Sequence, residues 1–177
     1  MVFFVTTVAF VQTLVVLYLL PLRGSQSRSY PYIRALLGSL ILHLGIKLYL
    51  LGVLHDEFLF GRLNSFTSFS YGPLLLFQFR QSIGKPLHRS TQLLHLLPFL
   101  MAFGLYLYCV ITLMPTLEPA QFERTFTIYK YSVMASWVLY FGYLLWAIWW
   151  ENRQPVRRLS VADCWLLLRV SALFLIA

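Results

Sequence analysis

Six long apolar runs divide this chain of 177 residues. A transmembrane helix needs roughly 20 consecutive, mostly apolar residues, and a soluble core of this size could not cover so many such segments. The runs predict helices near residues 2–20, 33–54, 64–82, 93–114, 129–150 and 161–177. We therefore expect an all-α integral membrane protein. Residues 1–177 would form a single polytopic domain, a bundle of about six transmembrane helices.

Composition argues against soluble and catalytic classes of protein. Hydrophobic residues make up 59% of the chain and charged residues 11%, whereas soluble domains carry about 25% charged residues. The sequence contains no nucleophile-elbow, zinc-protease or phosphate-loop motif, and its four histidines fall at different depths along the runs. We expect neither enzymatic activity, nor a cofactor, nor a metal site.

The distribution of basic residues predicts the orientation in the membrane. Nine lie in or next to the loops after the first, third and fifth runs, and three lie after the second and fourth. Because Lys and Arg mark the cytoplasmic side, this asymmetry places the N-terminus outside and the odd-numbered loops in the cytoplasm. The loops thus account for the net charge of +8, and we expect no direct nucleic-acid binding by this chain. The nine residues are Arg23, Arg28, Arg34, Arg80, Lys85, Arg89, Arg153, Arg157 and Arg158.

A glycine stripe marks the second run. Gly38, Gly45 and Gly52 recur every seven residues, and such a step returns to nearly the same helix face, drifting by only about 20°. Glycine lets helices approach closely in a membrane, where packing drives their association. The stripe predicts a face packed against another helix of the chain, or self-association with a second copy.

Three basic residues that lie well inside the runs are candidates for function, because ionisable groups are costly in a bilayer. His43 and Lys47 lie in the second run and Arg169 lies in the sixth. His43 is near the midplane, where it would serve as a relay or ligand contact or form a structural hydrogen bond. Lys47 and Arg169 are close enough to a surface that snorkelling is an alternative to a functional role.

The outer half of the third run is unusually polar. Residues 64–71 read NSFTSFSY and precede Gly72-Pro73. Lipid supplies no hydrogen-bond partners, so we predict an outward-opening polar cavity lined by Ser65, Ser68, Ser70 and Tyr71. Because proline lacks an N–H and displaces a helical carbonyl, kinks are predicted at Gly72, Pro73 and Pro98. In the alternative interpretation, residues 64–69 form a loop among the headgroups.

The third and fourth runs resemble a known family. Residues 69–82 read FSYGPLLLFQFRQS. A basic loop follows, and residues 94–100 after it read LHLLPFL. This pattern is similar to the multi-span N-terminal region of membrane-anchored AraC-type transcriptional regulators of Bacteroidetes, and Asp163-Cys164-Trp165-Leu166 is similar to the entry of their sixth helix. The resemblance implies a bacterial inner-membrane location and a longer parent with seven helices and a cytoplasmic helix-turn-helix domain. It identifies no ligand residues, and Gln78 departs from the apolar or aromatic residue expected there.

These observations favour a non-enzymatic membrane sensor, the signal-input module of a transcriptional regulator. Its expected partners are the lipid bilayer and a small-molecule ligand that the sequence does not identify. Two alternatives stay open. A small-molecule or ion transporter would ordinarily show a deep acidic residue or an internal repeat. A structural membrane subunit would need only the glycine stripe.

The orientation can be tested by labelling with a membrane-impermeant thiol reagent, after Cys109 and Cys164 have been replaced by alanine. On intact cells we predict labelling of a cysteine at Asn64 and none at Ser90 or Gln154, because the basic loops lie in the cytoplasm. Labelling at Ser90 or Gln154 without labelling at Asn64 would show the opposite orientation.

Overall fold

Helices make up nearly all of the computed structural model, which describes residues 2–19, 30–55, 60, 66–108 and 119–153. These residues contain no β-strand. The predicted sixth helix, residues 161–177, lies outside the described residues. The elements are α1 (Val2–Leu19), α2 (Tyr30–Gly52), a 3₁₀ segment (Phe66–Ser70), α3 (Tyr71–Ser82), α4 (Arg89–Tyr108) and α5 (Pro119–Asn152).

Four of these helices are long and apolar enough to cross a membrane, within α1, α2, α4 and α5. Large apolar side chains such as Phe4, Leu94 and Leu139 are exposed on their outer faces, at 71%, 67% and 72%. Water would make such surfaces costly, whereas lipid accepts them. The predicted helical character and the presence of several helices able to cross a membrane are confirmed, while the count of six spans and the orientation stay predictions.

α5 begins ten residues earlier than the predicted fifth span, at Pro119 instead of residue 129. Proline suits the first position of a helix because its missing N–H would have no partner there and its φ is preset. The 34 residues of α5 extend over about 51 Å at the helical rise. α5 is therefore longer than the roughly 30 Å hydrocarbon layer.

The third predicted span is not one continuous α-helix. It consists of the 5 residues of the 3₁₀ segment followed by the 12 residues of α3. With rises of about 2.0 Å per residue in a 3₁₀ helix and 1.5 Å in an α-helix, this unit reaches about 28 Å. The tighter helix thus adds length, and a segment too short for an ordinary span nearly matches the hydrocarbon thickness.

Gly72 and Pro73 mark the change of helix type. Tyr71 is the first residue of α3, so Pro73 lies in the first turn, where backbone N–H groups have no intrahelical partner in any case. Proline is tolerated at such a position. The break predicted at Gly72 and Pro73 in the middle of the third span therefore lies at the start of α3.

α3 lies at the centre of the bundle. Its residues from Tyr71 to Phe79 are all buried. The largest core cluster joins them to Phe141, Leu144 and Ile148 of α5. Partly buried side chains close the cluster from α2 and α4, namely Tyr32, Leu36, Leu40 and Leu96. Protein therefore surrounds α3 and the 3₁₀ segment before it, as a departure from α-helical backbone at membrane depth requires.

Contacts between helix ends show that successive elements alternate in direction. Lys85, just after α3, pairs with Glu151 near the end of α5 at 3.0 Å. The Tyr32 hydroxyl, near the start of α2, donates to the Gln92 side chain near the start of α4 at 3.4 Å. These four helix ends, with Arg89 and Arg153, form what we call the basic end of the bundle.

Two of the three glycines in the stripe of α2 face α1, and the packing role predicted for the whole stripe stays a prediction. A Cβ atom built on Gly45 would lie 3.7 Å from Phe10, and one on Gly52 would lie 3.1 Å from Phe3, both on α1. A Cβ on Gly38 would meet no described atom within 4 Å. Among the described residues, α1 therefore approaches Gly45 and Gly52 but not Gly38.

The closest approach involves Gly72, whose predicted role was only a kink. A Cβ atom here would lie 2.6 Å from Cγ and 2.7 Å from Cβ of Tyr140. These atoms sit near the backbone of α5 and cannot swing away as the tip of a long side chain could. Gly72 thus sets the spacing between α3 and α5.

We predict that Gly72→Ala destabilises the detergent-solubilised protein by about 1–3 kcal/mol, because the added methyl group overpacks against Tyr140. The matched control is Gly38→Ala. It should leave the stability unchanged or raise it by up to about 1 kcal/mol through helix propensity. Thermal unfolding followed by circular dichroism measures both, and equal melting temperatures for the two variants would contradict this packing.

Candidate functional site

The 3₁₀ segment carries buried polar side chains, and it lies in the half of the bundle away from the basic end. The exposed fractions of Thr67, Ser68 and Ser70 are 1–3%. The Ser70 hydroxyl donates to the Thr67 carbonyl at 2.7 Å. Trp137 Nε1 of α5 donates to the Ser68 carbonyl at 2.9 Å. Internal hydrogen bonds thus satisfy part of this polar region, which we call the outer polar cluster after the side of the membrane predicted for it from the sequence.

Tyr71 completes the outer polar cluster. It is 3% exposed, and its ring lies 6.4 Å from that of His43 and 6.3 Å from that of Trp137, measured between ring centres. Three helices therefore meet at this tyrosine. Of the four predicted cavity residues, Ser68, Ser70 and Tyr71 are buried between helices and Ser65 lies outside the described residues. The water-accessible cavity stays a prediction.

The other intramembrane candidates are dispersed. Lys47 Nζ donates to the Phe60 carbonyl and lies 4.8 Å from the centre of the Phe60 ring. It therefore points toward the segment that follows α2, in the direction expected for snorkelling. His43 instead faces Tyr71, and Arg169 lies outside the described residues. Pro98 lies inside α4, which continues on both sides of it from Arg89 to Tyr108.

A cleft of about 390 Å³ lies near the basic end, and we call it the inner cleft. α3 forms its floor, while α4 with its preceding loop and α5 form its walls. Its lining combines three leucines with one guanidinium, one imidazole and two phenol groups. The lining residues are Leu76, Arg80, Leu87, His95, Leu139, Tyr140 and Tyr143.

Two hydrogen bonds join the polar residues of the inner cleft in pairs. Nδ1 of His95 and the hydroxyl of Tyr140 share one of 2.9 Å that bridges α4 and α5. Arg80 Nη2 donates to the Tyr143 hydroxyl at 3.2 Å. Arg80 Nε is buried and has no hydrogen-bond partner among the described residues. The cleft thus presents a cation whose donors are only partly used.

Sequence reasoning did not single out His95, Tyr140 or Tyr143 as site residues. The two tyrosines are three residues apart and so share one face of α5, but neither motif nor spacing relates them to a histidine 45 residues earlier. Within the described residues no group of three or more His, Cys, Asp or Glu side chains could hold a metal ion.

Two further polar atoms in the interior have no hydrogen-bond partner among the described residues. They are Oε1 of Gln78 and the hydroxyl of Tyr129. Gln78 lies in α3 and is 6% exposed. An unsatisfied buried polar group costs about 1–3 kcal/mol. In this packing, the interior of the bundle therefore contains polar atoms whose hydrogen bonds are not satisfied by described residues.

Comparison with protein-family models, curated proteins and solved structures finds no match for this chain. Its function must therefore be argued from geometry and sequence pattern.

We predict that Tyr140→Phe lowers the stability by about 0.5–1.5 kcal/mol, because it removes the hydroxyl bound to His95 while keeping the ring against Gly72. Tyr131→Phe is the matched control on the same helix, since Tyr131 is 65% exposed. It should change the stability by less than about 0.5 kcal/mol. Equal melting temperatures for the two variants in the same detergent would show that the His95–Tyr140 bond does not stabilise the fold.

Proposed function

We propose that the chain is a membrane-embedded signal-input module, in which movement of the 3₁₀ segment and α3 carries a change from the outer polar cluster to the basic end. No catalytic step is part of this proposal. The ligand or physical signal would act at the outer polar cluster, and the output would be read at the basic end.

The observation that carries the proposal is the attachment of this central unit to α5 at both ends. Trp137 donates to the Ser68 carbonyl at one end. At the other end, 3.0 Å separates Lys85 from Glu151. A shift of the central unit along α5 must therefore disturb contacts at both ends. Transmission between distant sites requires such a mechanically continuous element.

The same unit has features of a bistable element. A 3₁₀ stretch joined to an α-helix often marks a functional hinge. Gln78 Oε1 has no hydrogen-bond partner among the described residues. A second packing that gave it a partner would recover part of the free energy lost by burying it. A ligand that favours one of two such packings shifts their populations.

The proposed topology has six spans, with residues 161–177 as the sixth and the N-terminus outside. The alternation of α1, α2, the 3₁₀ segment with α3, α4 and α5 supports it, because an outside N-terminus then puts the basic end in the cytoplasm. That is the side where Lys and Arg accumulate. The membrane would be the bacterial inner membrane.

The resemblance to AraC-type regulators suggests where the signal goes. In that arrangement a seventh span would follow and connect the module to a cytoplasmic helix-turn-helix domain. The basic end is the surface closest to such a domain, and the Lys85–Glu151 pair lies there.

The proposal is tested by a distance measured at the basic end while the other end is perturbed. Spin labels would be attached to cysteines at His88 and Arg153, both exposed, after Cys109 and Cys164 have been replaced by alanine. We predict that Trp137→Phe shifts or broadens the distance distribution by about 1–2 Å, the scale of helix shifts in switching proteins. The measurement is pulsed electron paramagnetic resonance in lipid nanodiscs.

The matched control is Trp146→Phe, because Trp146 is on the same helix but 54% exposed. It should leave the distance distribution unchanged, although it is nearer to both labels. If Trp137→Phe also leaves it unchanged, the two ends are not coupled and the signalling proposal fails.

A further inference from the structure

We propose that the inner cleft binds the phosphate of a membrane glycerophospholipid whose headgroup carries a net negative charge. This site is separate from the outer polar cluster, and it requires only that the protein be inserted in a bilayer. It does not depend on signalling.

Charge is the first argument. Arg80 is half-buried, and none of the described residues that line the cleft is acidic. The one hydrogen-bond partner of the Arg80 side chain among the described residues is the Tyr143 hydroxyl. A cationic group walled by apolar side chains is costly without an anion. Guanidinium is also the side-chain group best shaped for phosphate oxygens, because its N–H donors form a planar fork.

The hydrogen-bond directions leave room for such an anion. Tyr143 accepts from Arg80 Nη2, so its own O–H proton can be donated to a phosphate oxygen beside the guanidinium. Nε of Arg80 is buried and has no partner among the described residues, so a phosphate in the cleft would be bound by the terminal N–H groups of the guanidinium and by the Tyr143 hydroxyl.

Position in the bilayer is the second argument. Arg80 lies in the last turn of α3, at the basic end, which is the level of lipid headgroups. The stacked Trp146 and Trp150 near the end of α5, with ring centres 6.0 Å apart, mark the same level, since tryptophan collects at the membrane interface. The ligand class best placed to meet Arg80 is therefore a lipid headgroup.

The apolar wall of the cleft supplies the path for an acyl chain. Leu76 lies one turn from Arg80 along α3, and Leu139 lies one turn from Tyr143 along α5, both toward the middle of the bilayer. Leu139 is 72% exposed, so the cleft opens sideways onto the lipid-facing surface. Its volume of about 390 Å³ falls within the roughly 300–1,000 Å³ typical of small-molecule sites.

The experiment measures the melting temperature of the full chain in neutral detergent while palmitoyl-oleoyl phosphatidylglycerol is added. We expect this lipid to raise the melting temperature. Arg80→Gln should raise the lipid concentration that gives half of the maximal stabilisation by about tenfold or more, because it removes charge-assisted hydrogen bonds. Arg89→Gln is the matched control, because it removes the same charge at an exposed position of the basic end outside the cleft. It should change that concentration by less than about twofold.

A second pair of variants tests lipid binding in the cleft if Arg80→Gln does not fold. Leu139→Trp would fill the mouth of the cleft from an exposed position and should also abolish the stabilisation by lipid. Leu93→Trp is its control on α4, where Leu93 is 63% exposed and does not line the cleft. It should retain the full effect.

Four outcomes would overturn the proposal. The first is an unchanged response in both Arg80→Gln and Leu139→Trp. The second is an equal loss in Arg89→Gln, which would indicate general attraction to the basic end. The third is an equal effect of zwitterionic phosphatidylcholine. The fourth is the same stabilisation by water-soluble glycerol 3-phosphate at equal concentration, which would identify a free anion as the ligand.

Discussion

A lipid bilayer offers no hydrogen-bond partner to a polypeptide backbone, and this constraint decides where the third element of the protein lies. The unit formed by Phe66–Ser70 and Tyr71–Ser82 begins with a 3₁₀ turn and carries several hydroxyl side chains. Exposed to lipid, it would leave polar groups without partners. Surrounded by α2, α4 and α5, it satisfies part of them internally, and its polar residues become the interior of a protein whose outer surface is apolar.

Close packing around this unit has consequences at both of its ends. Gly72 lets α3 approach Tyr140 so closely that a methyl group would clash, and the hydroxyl of the same tyrosine reaches His95 on α4. One side chain of α5 thus fixes the positions of two neighbouring helices. Toward the basic end α4 and α5 flank the inner cleft, whose floor is α3. The tight contact and the open cleft are therefore parts of the same arrangement.

Sequence alone predicts what depends on local properties of the chain. The length and hydropathy of each apolar run are sufficient to locate α1, α2, α4 and most of α5, and the polar stretch before Gly72 indicates that the third element is unusual. Contacts between helices are not encoded in this way. Gly38 and Gly72 are both glycines within apolar runs, and only the neighbouring helix determines that the first meets open space and the second meets Tyr140. For the same reason, the inner cleft could not be predicted, because its residues come from three separate elements.

We propose that the short third unit is a hydrogen-bonded, protein-shielded span and not a headgroup loop. Hydrogen–deuterium exchange in lipid nanodiscs tests it most directly. Backbone amides from Phe69 to Ser82, with Pro73 excepted because it has no N–H, should exchange as slowly as those in the middle of α2. Exchange of Phe69 to Tyr71 within seconds, as in an unstructured loop, would contradict the account and remove the basis for a transmission path through α3.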